Sequence, residues 1–225
     1  MHHGPDRIVM VTGASRGIGA NVALRLAAPG THVIVSHRYD AANADTVAAA
    51  IRDAGGSAST LAADICDAGD AAAMMDIVAT RFGRLDVLVL NTSGMDSDAD
   101  PGSAMRLNRD AQRRLAELAV PLLPAGGHIV YVTSHQAHFF PLKAVPKGYA
   151  GIAASKRAGE TALYGMRTDL AHAGIHLTVV SGDRIDGPSV SPRVDGLAEA
   201  VVGVTTAEHP SNIVFVGKAD YLMTA

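Results

Sequence analysis

Uninterrupted aliphatic runs constrain this chain more than any other feature. Ile8–Thr12, His32–Ser36, Ser59–Ala62 and Val87–Leu90 are short and dominated by Val, Ile and Leu, with no strict apolar–polar alternation. A strand that is apolar on both faces must be covered on both, and a parallel sheet flanked by helices does this. Segments with helical spacing follow each run: Ala20–Ala28, Ala41–Ala54, Ala68–Phe82 and Arg106–Leu123. The second half repeats the alternation, with a strand at His128–Thr133, a helix over Ala150–Ala173, a strand at His176–Val180, a short helix at Asp195–Val204 and a last strand at Ile213–Val216. About seven strands and six helices are expected, in a doubly wound α/β fold.

Gly55-Gly56, Gly126-Gly127 and Gly174 stand where helices hand over to strands. No repeat or long linker interrupts the pattern, so residues 1–225 read as a single domain, with Gly182–Val194 as a segment expected to move near a site. At 48% hydrophobic and 18% charged residues, there is ample material for a core. A net charge of −3 without a dense Lys/Arg cluster argues against nucleic-acid or membrane partners and for a small-molecule substrate. No run approaches the roughly 20 apolar residues of a membrane span, and the N-terminus lacks a secretory pattern, so a cytoplasmic protein is expected. Cys66 is the only cysteine, which excludes an intrachain disulfide and a thiolate zinc framework; no metal is expected.

Directly after the first run comes Thr12-Gly13-Ala14-Ser15-Arg16-Gly17-Ile18-Gly19, followed at once by helical Ala20–Leu24. In this order Gly13 makes a tight turn, Gly17 lets backbone N–H groups approach a pyrophosphate, and Gly19 lets helix and strand pack closely. The second strand ends in Ser36-His37-Arg38-Tyr39-Asp40. A free ribose 2′-OH calls for a carboxylate there, whereas a 2′-phosphate calls for guanidinium. Arg38, with Arg16 in the glycine loop, favours NADP(H); the competing reading is that the arginines are surface residues and that Asp40 pairs with one of them.

The glycine motif resembles that of the short-chain dehydrogenase/reductase family, and the resemblance runs nearly end to end, in the style of 3-oxoacyl-carrier-protein reductases. It implies a Rossmann-type domain that binds NADP(H) through Gly13, Ser15, Arg16, Gly17, Ile18, Gly19 and Arg38. Asp64 and Ile65 would hold the adenine, and Asn91 and Gly94, in a degraded Asn-Asn-Ala-Gly element, would stabilise the sheet and approach the nicotinamide ribose. Ser134, after His128–Thr133, matches the serine that binds the substrate oxygen. Lys156 matches the lysine that grips the ribose, and Asn108 the asparagine that holds a relay water.

The family pattern is Tyr-x-x-x-Lys, and counting back four from Lys156 reaches Ile152, which cannot donate a proton. Tyr149 lies seven residues before Lys156. Seven residues turn a helix through about 700°, so both side chains would share a face one turn further apart. Tyr149 is therefore the leading acid, and its phenol, with an ordinary pKa of about 10, needs a neighbouring ammonium to serve as a base in the reverse reaction. His135 or His138 are the alternatives, or surface loop residues. Two further departures fall on the substrate side: a short stretch from Gly94 to Asn108, read as a helix that lost its first turns, and Ser181-Gly182 in place of Pro-Gly.

Ala111, Leu115, Leu118 and Leu122 form an apolar stripe, and Ala158, Gly159, Ala162 and Gly165 a stripe of small residues. By resemblance these build a homodimer or homotetramer; otherwise they only cover the sheet. The expected activity is NADP(H)-dependent interconversion of a small carbonyl and its alcohol, with a 3-oxoacyl thioester as one substrate class. The alternatives are a catalytically impaired NADP(H)-binding regulator, motivated by Ile152, and a lyase or isomerase that uses the cofactor transiently.

Overall fold

The computed structural model describes residues 5–91, 101–183 and 192–217. Seven strands form one parallel sheet: β1 (Arg7–Val11), β2 (Thr31–His37), β3 (Ser57–Ala62), β4 (Val87–Leu90), β5 (His128–Ser134), β6 (His176–Gly182) and β7 (Ile213–Val216), in the order β3-β2-β1-β4-β5-β6-β7. The helices are α1 (Gly17–Leu26), α2 (Ala41–Asp53), α3 (Ala68–Phe82), α4 (Pro101–Met105), a π-helical segment (Arg106–Ala111), α5 (Gln112–Ala119), α6 (His135–His138), α7 (Ala150–Tyr164), α8 (Arg167–His172) and α9 (Pro192–Val204).

β1, β2, β4, β5 and β6 bury both faces, as aliphatic runs demand, while the edge strands β3 and β7 are only partly covered. Val9, Val11, Val33, Val35, Val89 and Val130 pack with α1, α2 and α9. Ile8, Met10, Ile34, Leu88, Ile129 and Val179 pack on the other face with α3, α5, α7 and α8. The stripe Ala111, Leu115, Leu118 and Leu122 belongs to this second layer and covers the sheet.

Three expectations need correction. Helical backbone is already present over Pro101–Met105, ahead of Arg106. The helix expected over Ala150–Ala173 is two, α7 and α8, parted at Gly165-Met166. β5 and β6 run on to Ser134 and Gly182, which pair in register. The Gly182–Val194 segment falls largely outside the described residues, as does Gly94.

His128 opens β5 opposite His176 of β6, with ring centroids 5.1 Å apart. Burial, then His176, then Arg7 lower the His128 pKa to about 4. The unfolded chain, with histidine near 6.5, therefore binds the extra proton first, and stability falls as pH drops from about 6.5 towards 4. The full shift corresponds to up to about 3 kcal/mol. Burial lowers His32 and His135 in the same direction. Urea unfolding at pH 7 and pH 5 should show a marked acid loss in the wild type and a smaller loss in His128→Gln; equal losses would remove His128 from the account.

Candidate active site

The strand order reverses between β1 and β4, so the helices that follow them leave on opposite faces and open a crevice at the strands' C-terminal ends. One pair of residues closes its floor. Thr12 Oγ1 donates to the Asn91 carbonyl at 2.9 Å, the Asn91 N–H donates back to Thr12 Oγ1 at 3.0 Å, and Asn91 Nδ2 reaches the carbonyls of Thr12 (3.2 Å) and Gly13 (3.3 Å). A Cβ on Gly19 would lie 2.4 Å from the Gly13 carbonyl oxygen and 2.7 Å from Asn91 Nδ2. Gly13 and Gly17 turn through left-handed backbone, at φ 60° and 59°. Arg16 precedes α1 without a side-chain cap, so the first amides of the helix remain for an anion.

A cleft of about 230 Å³ is lined by Thr12, Gly13, Ser15, Arg16, Ser36, His37, Arg38, Tyr39, Asp40, Ala63, Asp64, Ile65, Asn91 and Leu107. Of the expected nucleotide residues, Gly13, Ser15, Arg16, Arg38, Asp64, Ile65 and Asn91 line it, whereas Gly17, Ile18, Gly19 and Lys156 do not, and Ile18, on α1, packs partly buried against the core. Sequence reasoning passed over Ser36, His37 and Leu107. Arg38 pairs with Asp64 at 2.6 Å and stacks over the Tyr39 ring, 4.5 Å from its centroid. Arg16 pairs with Asp40 at 3.5 Å. Both arginines are more than half exposed, and such pairs hold by no more than about 1 kcal/mol. A dianionic phosphate therefore competes for them readily.

On the other side of the crevice, Ser134 Oγ lies 3.3 Å from Tyr149 Oη. Tyr149 is the last residue before α7, a position from which its side chain reaches back to the end of β5. Lys156 lies two turns further on; burial alone lowers its pKa, and among the described residues its ammonium has no ion pair. Asn108 is buried in the π-helical segment, where its Nδ2 donates to Ser155 Oγ at 2.9 Å, and Ser155 Oγ donates to the Ile152 carbonyl at 2.9 Å. Ile152, at the family's usual tyrosine position, contributes only that carbonyl.

Tyr131 is a second phenol that the sequence reading left unassigned. Burial foremost, then Glu160 and Tyr149, raise its pKa far above the ordinary range, and its hydroxyl donates to the Lys156 carbonyl at 3.0 Å. It is a poor proton donor to a substrate. A phenol inside an otherwise aliphatic strand needs a partner, and that is the signal that could have marked it.

The two histidines are not loop surface. His135 is buried, with Nδ1 2.9 Å from Ser181 Oγ and Nε2 3.6 Å from Asp183, and burial lowers its pKa despite the carboxylate. His138 meets Glu160 of α7. Both are engaged in contacts away from Ser134 Oγ, whereas the Tyr149 phenol lies beside it. No cluster that could hold a metal ion occurs among the described residues.

Gly159 of α7 belongs to the stripe of small residues expected to build a subunit interface or cover the sheet. It instead receives the π-helical segment: a Cβ there would come within 1.9 Å of the Asn108 carbonyl oxygen and 2.9 Å of Tyr131 Oη. Gly159→Ala should therefore part α7 from Asn108 and cost about 1–3 kcal/mol of stability. Urea denaturation measures this, and an unchanged midpoint would show that the contact yields freely.

Comparison with known proteins agrees with this geometry. The model of the short chain dehydrogenase family matches residues 7–194. A 1-cyclohexenylcarbonyl-CoA reductase of Streptomyces collinus is 34% identical over 192 residues, covering 82% of this chain and 66% of the relative. A hydroxynaphthalene reductase of Aspergillus fumigatus is 31% identical over 183 residues, covering 78% and 65%. The chain thus spans about two thirds of the length of these curated relatives. A short chain dehydrogenase from Burkholderia cenocepacia, solved in complex with NADP, superposes with a TM-score of 0.76 at 30% identity over 90% of this chain and 91% of that one. With the glycine turn, the seven-stranded sheet and the paired serine and tyrosine in place, this chain belongs to the short chain dehydrogenase family.

Proposed function

We propose that this protein is an NADP(H)-dependent reductase of a small ketone, working reversibly on the corresponding alcohol. The observation that carries this reading is the 3.3 Å contact between Ser134 Oγ and Tyr149 Oη at the end of β5. The nucleotide cleft fits NADP(H). The Gly13–Gly19 turn leaves room for a pyrophosphate at the uncapped start of α1, and two weakly paired arginines suit a 2′-phosphate. NADP bound to the Burkholderia cenocepacia relative supports this cofactor.

When bound, the cofactor supplies the hydride. The chain supplies the rest. As negative charge builds on the carbonyl oxygen, Ser134 Oγ and Tyr149 Oη present two hydrogen-bond donors to it, and the Tyr149 proton passes to the alkoxide. Lys156 grips the ribose and places a desolvated positive charge on this side of the crevice. Asn108, whose Nδ2 donates to Ser155 of α7, is the residue that would hold a relay water. The paired donors favour turnover over a binding-only role.

The names of the two curated relatives direct attention to substrates built on six-membered and fused rings. Ring ketones join 3-oxoacyl thioesters as the classes to test. A homodimer or homotetramer in the cytoplasm completes the reading. It is supported by the groove on α7 that Ala158 and Ala162 form with Phe140 and Pro141, and by a sequence whose one cysteine, Cys66, is free.

Tyr149→Phe should lower kcat about a hundredfold with α-tetralone, cyclohexanone or a 3-oxoacyl thioester while NADPH binding, followed by fluorescence, stays intact. Wild-type turnover that survives this substitution would remove Tyr149 as the acid. Arg38→Ala should weaken NADPH binding about tenfold and leave NADH binding nearly unchanged. Equal effects on both cofactors would refute the 2′-phosphate assignment.

A further inference from the structure

The face of α7 that follows Lys156 carries a carboxylate that the reaction outlined above does not use. Glu160 is fully buried, four residues beyond Lys156 and so one turn along the same face. An ionised carboxylate in such a place must be paired. Its Oε1 meets Arg157 Nη1 at 2.8 Å and His138 Nδ1 at 2.7 Å; the histidine approach is close but is not aligned as a hydrogen bond. Burial foremost, then the Glu160 charge, push the nearby Tyr164 phenol up to about 12. Arg157 and Tyr164 lie on α7 itself, so they need no other element. His138 is different, because it belongs to the helical turn that starts at Ser134.

That turn leaves Ser134 little slack. Ser134 Oγ accepts from the Ala137 N–H at 3.4 Å, the Phe139 N–H donates to the His135 carbonyl at 3.0 Å, and the Phe140 N–H donates to the Ala137 carbonyl at 3.2 Å. His135 ties the turn to β6 through Ser181. His138 ties it to α7 through Glu160. The loop from His135 to Gly148 separates Ser134 from Tyr149, and a flexible loop of that length closes in many ways. Only a closure that brings the two hydroxyls together serves the reaction.

We propose that the His138–Glu160 pair is a positioning strut that holds Ser134 Oγ in place against Tyr149 Oη, so that both donors meet one carbonyl oxygen. The proposal rests on the reading of Ser134 and Tyr149 as the donor pair. Neither strut residue touches the substrate; both act through Ser134. A strut of this kind does the work that a shorter connection would do by itself.

The test is a double-mutant cycle on kcat in the full 225-residue chain, with NADPH and whichever of α-tetralone, cyclohexanone and a 3-oxoacyl thioester the wild type reduces fastest. Glu160→Gln and His138→Gln should each lower kcat about tenfold and leave the NADPH Kd within about twofold, while Ser134→Ala lowers kcat about a hundredfold. The Ser134→Ala/His138→Gln double variant should fall no more than about twofold below Ser134→Ala, because the strut has nothing left to position. A merely structural role predicts losses that multiply, and that result overturns the proposal, as does wild-type kcat in His138→Gln. Where Glu160→Gln fails to fold, His138→Gln carries the test, since its side chain is partly exposed. If the wild type reduces none of these ketones, or Ser134→Ala keeps full kcat, the donor-pair reading fails and takes the strut with it. Sensitivity to Ser134→Ala with a multiplying double variant is the failure of the strut alone.

Discussion

The reciprocal hydrogen bonding of Thr12 and Asn91 is the constraint on which the rest depends. β1 and β4 are adjacent where the strand order reverses, and the chains leaving them diverge to opposite faces. Backbone groups at such a point lose their ladder partners and must be satisfied in another way. The Thr12 hydroxyl both donates to and accepts from the Asn91 backbone, and the Asn91 amide closes the carbonyls of Thr12 and Gly13. With those carbonyls turned inward, the glycine loop is left with its N–H groups as the polar surface it can offer. The anion-binding character of the cleft therefore follows from how the sheet is sealed, and Gly19 is required because a side chain there would strike both sealing groups.

A second close approach organises the catalytic side. The π-helical segment pushes the Asn108 carbonyl against α7 at a point that only glycine admits, and π-bulges of this kind recur at functional sites. Tyr131 fills the space beneath, its hydroxyl bound to the Lys156 carbonyl. The backbone that carries Lys156 is thus held by the floor of the core, while its ammonium is left in a desolvated setting. The two halves of the crevice rest on different supports, one on β1 and β4 and the other on β5 and α7. This is why departures from the family pattern can gather in the second half without disturbing the first.

What could be read from the sequence follows the same division. Strands β1, β2, β4, β5 and β6 were legible because burial on both faces leaves an aliphatic run whatever the neighbouring chain does, and the half-covered β3 and β7 because of their place in the strand–helix alternation. The glycine loop, Arg16 and Arg38 were legible because phosphate chemistry allows few residue types. The break between α7 and α8 was not, since Gly165 serves equally well in a helix interior at modest cost. Nor was the use of Gly159, because a small residue facing an intrachain carbonyl has the same one-letter pattern as one facing a second subunit. His135 and His138 read as loop residues for a related reason: their partners Ser181 and Glu160 lie 46 and 22 positions away, and no local spacing announces a contact made across the fold.

The displaced tyrosine shows how such long-range contacts let a scaffold vary its chemistry. Moving an acid three residues towards the start of a helix shifts it about 4.5 Å along the axis and turns it by about 60°. Inside a helix this would aim the phenol away from β5. Tyr149, however, sits at the boundary of α7, where its N–H donates to the Pro146 carbonyl at 3.0 Å and its side chain reaches back to Ser134. The Ala153 N–H still donates to the Tyr149 carbonyl at 2.9 Å, so the residue is anchored to the helix although it lies outside it. An extended connection from Ser134 supplies the remaining reach, and it can be tolerated only if its first turn is fixed at both ends. α6 contacts both β6 and α7, so on the proposed reading the spacing of Ser134 and Tyr149 along the chain matters less than the rigidity of the elements that present them.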